Sequence, residues 1–126
     1  MAIAGIGVDT AAVYRLEKSL LNPRFLQRVY GPEEQRLVAE KGPATAAANF
    51  AAKEAFGKAL GTGILREFSL DEVQALRNAD GAPYLAFSGR AQALMEQRGL
   101  RAHLSLTHEE GLATAFVLLE EKKEQL

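Results

Sequence analysis

The stretch Asn49 to Gly63, NFAAKEAFGKALGTG, decides how the rest of the chain is read. From Ala44 to Leu60 the sequence is rich in alanine and has no β-branched run, and Gly61 follows at once. That pattern predicts one long helix with a glycine stop. Its small side chains let a second backbone or a ligand lie close. Glu54 and Lys58 fall one helical turn apart, and the ordinary reading of such a pair is a surface contact worth roughly 0.2–0.5 kcal/mol. Two neighbours argue for more. Phe50, one turn before Glu54, keeps that face from being plainly solvated. Gly61 and Gly63 give a loop whose N–H groups can approach an anion. The glycines follow the lysine instead of preceding it, so this is not the Walker pattern.

Upstream, Ile3 to Val8 reads as a buried strand whose Gly5 and Gly7 mark a close approach. Asp9 and Thr10 are read as its end. Asp9 is either a cap for the next helix or a hard oxygen ligand. Magnesium asks for one or two carboxylates beside phosphate oxygens and water, a number that Asp9 and Glu54 together satisfy. Helices are expected over Ala11–Leu21, over Arg24–Tyr30 and from Pro32, where Glu33 and Glu34 suit the positive end.

Downstream of the central stretch the period changes. Phe68–Leu76 and Pro83–Phe87 flank Asp80-Gly81 and read as a hairpin. Ser88–Arg98 reads as a helix. Ala102–Thr107 and Leu112–Leu119 read as strands about a turn at His108–Gly111. The result is a single α+β domain over residues 1–126. Its antiparallel sheet comes from an N-terminal strand and C-terminal hairpins packed on a long central helix.

Composition narrows the function. The 126 residues carry a net charge of -1, and the pI is near 6.1, which argues against bulk binding to nucleic acid or an anionic membrane. No cysteine is present. No apolar run approaches the ~20 residues that span a bilayer. MAIAGIGVDT lacks the features of a signal peptide, so a cytoplasmic address is expected. Arg15, Lys18, Arg24 and Arg28 form a basic cluster, either a solvated face or a dock for an acidic partner. His103 reads as a half-exposed filler. His108, beside a turn, can reach a ligand. The two histidines lack metal spacing, which argues against zinc. Ser105 and His108 fall on opposite faces of a strand, so no triad forms.

Three segments, GIGVD at 5–9 with Arg15 beyond it, FAAKEAFGKALGTG at 50–63 and SLTH at 105–108, resemble the holo-acyl-carrier-protein synthases, the short type of 4′-phosphopantetheinyl transferase. The resemblance implies an α+β enzyme that moves the phosphopantetheine arm of coenzyme A onto a serine of apo-acyl carrier protein, in support of fatty acid biosynthesis. It implies magnesium held by Asp9 and Glu54, with Glu54 and Lys58 catalytic. It implies coenzyme A contacts from Lys58, Gly61, Thr62, Gly63, Pro83 and His108, and carrier-protein docking by Arg15, Arg24 and Arg28. It also implies a homotrimer with active sites between subunits. Ala11 stands where the larger transferases have a second acid, which fits the short class. Asn49 stands where the family commonly has arginine, implying a weaker phosphate-side or adenine-side contact. Glu109 and Glu110 add negative charge beside His108. The competing readings are a non-catalytic coenzyme A-binding or carrier-docking module, and a generic interaction domain with a surface Glu-Lys pair.

Overall fold

The computed structural model describes residues 2–61 and 67–122. In chain order its elements are β1 (Ile3–Ala12), α1 (Val13–Ser19), α2 (Pro23–Val29), α3 (Pro32–Lys41), α4 (Pro43–Leu60), a single 3-10 turn (Leu70–Glu72), β2 (Val73–Arg77), β3 (Pro83–Phe87), α5 (Gly89–Arg98), β4 (Leu100–Glu109) and β5 (Leu112–Glu121). The α+β class holds. The main antiparallel sheet runs β1-β5-β4, while β2 and β3 pair only with each other. Of the two expected hairpins, one therefore joins the N-terminal strand and the other forms its own small sheet.

The long helix α4 is the element on which the sheet lies. Its alanines 46, 47, 48, 51, 52 and 55 are wholly buried. A Cβ at Gly5 would overlap the carbonyl oxygen of Ala59, and one at Gly7 that of Ala55. The paired glycines and the alanine face are thus two halves of one contact, a strand seated directly on a helix backbone. Gly61 takes the left-handed conformation, φ 77°, and ends the helix as expected.

The strand period then sorts the sheet's two faces. Gly7, Asp9 and Ala11 register with Val117, Ala115 and Ala113, and these with Leu104, Leu106 and His108; this row set faces α4. Ile6, Val8 and Phe116 face away and are 59%, 54% and 40% exposed.

Three local expectations change. β1 does not stop at Val8, because its pairing with β5 continues from Asp9↔Ala115 to Ala12↔Leu112. Asp9 is therefore a strand residue and not a cap, and the first helix begins at Val13. The segment before Val73 is a 3-10 turn, with Glu72 accepting from the Ser69 N–H at 2.7 Å. His108 and Glu109 belong to β4, and the turn narrows to Glu110-Gly111, both with positive φ. Gln74 of β2 accepts from the N–H groups of Glu33 and Glu34 at 3.0 and 3.1 Å, capping α3 from another element.

Candidate active site

Asp9 reaches the site because β1 carries it on the helix-facing side. Glu54 reaches it because α4 presents residues one turn apart on one face, which aligns Phe50, Glu54 and Lys58. Asp9, Arg15, Phe25, Phe50 and Glu54 line one cleft of about 370 Å³ between β1, α1, α2 and α4. Strand, helices and cleft thus bring together two carboxylates that lie 45 residues apart in sequence.

Lys58 does not close the helical pair with Glu54 that its spacing suggests. Its ammonium donates to Asp9 Oδ1 at 3.0 Å and to the Val8 carbonyl at 3.0 Å. It thereby reaches the backbone of β1 as well as its carboxylate. The ion pair is exposed on the lysine side, 55%, and mostly covered on the aspartate side, 19%. Glu54 is half-buried. Burial pushes its carboxyl upward, the Asp9 charge adds to the rise, and Lys58 opposes it. Two like charges facing one cleft, one of them destabilised, are a donor set suited to a hard divalent cation. Among the described residues no group of three or more acids, histidines or cysteines gathers anywhere. The chain therefore offers a cation two carboxylates and open positions, which fits magnesium with phosphate and water and does not fit a closed structural metal.

The remaining expected residues are placed as follows. Arg15 lines the same cleft. Arg28 lines a neighbouring cleft of about 630 Å³ with Asn22, Phe25 and Leu70. Phe25 is the wall common to the two, and its ring lies 6.2 Å from that of Phe50. Arg24 is exposed at the start of α2. Pro83 opens β3 opposite Arg77, outside the carboxylate cleft. His108 is exposed on β4, two strands from β1 on the same sheet face. It does not line the cleft of its own chain. Ser105 points to the opposite face, registering with Phe116. Gly61 is exposed at the end of α4, while Thr62 and Gly63 lie outside the described residues.

Asn49 is corrected. It is wholly buried and donates to Glu34 Oε2 and the Ala75 carbonyl while accepting from Arg77. It is a core residue that does not line the cleft.

Sequence reading missed Lys53 and Glu34, both fully buried and joined as an ion pair. A signal existed: Lys53 shares a helix face with Asn49, Phe56 and Leu60, an inward-facing set on a helix buried nearly all round.

A strand seated on an alanine helix thus presents two carboxylates to one cleft, with a lysine bonded at its edge. The chain belongs to the 4′-phosphopantetheinyl transferase superfamily, whose family model matches residues 5–117, and it is a transferase. It is 45% identical to a holo-[acyl-carrier-protein] synthase of Treponema denticola, over 94% of this chain and 98% of that one. It is 43% identical to the one of Myxococcus xanthus, over 97% and 98%. The structure superimposes on the holo-[acyl-carrier-protein] synthase of Neisseria meningitidis with a TM-score of 0.87 at 33% identity, covering 95% of this chain and 100% of that one. It superimposes on the Bacillus anthracis synthase, solved in complex with CoA (3′,5′-ADP), with a TM-score of 0.80 at 34% identity, covering 95% and 98%.

Proposed function

We propose that this protein transfers the 4′-phosphopantetheine arm of coenzyme A to a serine hydroxyl of apo-acyl carrier protein, releasing adenosine 3′,5′-bisphosphate. The observation that carries the reading is the single cleft shared by Asp9 and Glu54, with Lys58 bonded at its edge. The serine oxygen attacks the phosphorus that bears the pantetheine arm. The bond from that phosphorus to the bridging oxygen breaks, and the serine proton must leave. Asp9 and Glu54 would hold magnesium, which supplies neutralisation of pyrophosphate charge. Glu54, directly or through a water, is the acceptor the cleft offers for the serine proton. Lys58 lies close enough to the carboxylates to swing onto the departing phosphate. Phe25 and Phe50 exclude water from the apolar side of the cleft.

The same reading gives the exposed basic side chains Arg15, Arg24 and Arg28 to the acidic carrier protein, and Gly61, Thr62, Gly63 and Pro83 to coenzyme A. It places the enzyme in the cytoplasm, in fatty acid biosynthesis. It also requires a homotrimer. The outer sheet face, with Ile6, Val8 and Phe116 exposed side by side, is the surface on which a second copy would sit. The reading also assigns a coenzyme A contact to His108, which does not line the cleft of its own chain. Asn49, the residue that favoured a non-catalytic module, is internal and no longer supports that alternative.

The test is direct. Apo-acyl carrier protein, coenzyme A and magnesium are incubated with the enzyme, and the carrier is weighed. It should gain the mass of one phosphopantetheine arm. No gain at any magnesium concentration rejects the function.

A further inference from the structure

We infer that the buried Glu34–Lys53 pair is the positioning device that fixes the rotation of α4, and through it the distance between Asp9 and Glu54. The inference rests on the reading of those two carboxylates as a cation-binding pair.

Helix α4 meets the sheet without large side chains. Its face toward the sheet is alanine against glycine, with Gly5 and Gly7 lying on Ala59 and Ala55. Small side chains permit close approach, but they provide few knobs and holes to resist rotation about the helix axis. Phe56, packed against Phe68 and Phe87, gives the helix one large knob, and the directional bonds that set the azimuth more sharply lie on the side away from the sheet. The Lys53 ammonium donates to Glu34 Oε1 and to the carbonyls of Leu70 and Val73. Three acceptors match the three protons of an ammonium. The Glu34 carboxylate also accepts from Gly31 N–H at 3.0 Å, Asn49 Nδ2 at 3.0 Å and Ala75 N–H at 2.9 Å. Arg77 donates to Asn49 Oδ1 at 2.9 Å. Two side chains of α4 are thereby tied to α3, the Leu70–Glu72 turn and β2. Burial pushes the Glu34 carboxyl up and the Lys53 ammonium down, and their mutual attraction opposes both.

Lys53 immediately precedes Glu54. Successive residues project about 100° apart around a helix, so the azimuth that aims Lys53 at Leu70 and Val73 also aims Glu54 at β1. With a side-chain radius of 5–6 Å, a rotation of ~20° would move the Glu54 carboxylate by roughly 2 Å. Displacement of about 1 Å is already enough to cost on the order of 100-fold in rate.

The test compares wild type with Glu34→Asp and with the double variant Glu34→Gln/Lys53→Met. Glu34→Asp keeps the charge and shortens its reach by one methylene. The double variant leaves no buried charge unpaired, the condition under which such pairs can be replaced at little loss of stability. Mn²⁺ binding in the absence of coenzyme A is read by electron paramagnetic resonance, alongside kcat, KM for the carrier protein, and thermal unfolding. Positioning predicts Mn²⁺ affinity at least about 10-fold weaker, kcat lower by on the order of 100-fold and an unchanged carrier KM, with both variants folded at the assay temperature. Should the double variant not fold, Glu34→Asp alone decides. Mn²⁺ affinity and kcat equal to wild type in the folded variants, or losses no larger than the unfolded fraction, overturn the inference. Failure of wild type itself to bind Mn²⁺ would instead count against the two carboxylates as a cation site.

Discussion

Glu54 is held in the form its surroundings least favour. Half-buried and facing Asp9, it keeps its proton to higher pH when folded than when unfolded. The folded state thus binds more protons across the interval between the ordinary glutamate range and the raised one. Stability attributable to this group falls as pH rises through that interval. Glu54→Gln removes the cost, so its melting temperature should equal or exceed that of wild type at neutral pH. The difference should vanish in acid, below the ordinary glutamate range; thermal scans across pH measure it. Turnover by the same variant should fall at least about 100-fold, as expected for loss of a general base. A matching loss of stability and activity would make Glu54 structural. Lys58 opposes the rise, so in the absence of metal the stability gained by Glu54→Gln should be larger in a Lys58→Met background, again read by thermal scans.

At the level of elements, the contact between β1 and α4 governs how the site is assembled. The helix backbone carbonyls of Ala55 and Ala59 lie where Cβ atoms of residues 7 and 5 would be, and backbone cannot yield as a flexible side chain can. Gly7→Ala should destabilise by about 1–3 kcal/mol or more by overpacking, measured in urea. Because strand and helix must separate, its cation affinity should fall as well. The helix α4 was legible because its signals are local: alanine content, spacing and a glycine stop lie within eighteen residues. The end of β1 was not, because it is set by pairing with β5, some hundred residues away. Lys53 and Glu34 were passed over for the same reason. Their partners lie on α3, β2 and the turn at Leu70, which no short window brings together.

For the whole molecule, the apolar outer face of the β1-β5-β4 sheet is the feature that a single chain leaves unresolved. Phe116→Asp places a charge at its middle while leaving the helix-facing row intact. Sedimentation velocity should find the wild type as a trimer and the variant as a monomer at micromolar concentration. If a second copy completes the site, activity should be lost together with the trimer. A variant that remains trimeric, or a monomer with full activity, would remove the subunit boundary from the proposed site.

The sequence by itself determined the class of fold and the central helix, and it singled out the two carboxylates and the lysine of the proposed site. Each rests on a short-range pattern of residue types or on three motifs taken in order. Only the tertiary structure decided that Asp9 lies within a strand, that Lys58 bonds to it in preference to Glu54, that Asn49 is core, and that a buried ion pair stands behind α4. Those facts depend on strand register and on which side of α4 meets which neighbour. Both are fixed by contacts between residues far apart in the chain, where neither spacing nor composition carries the information.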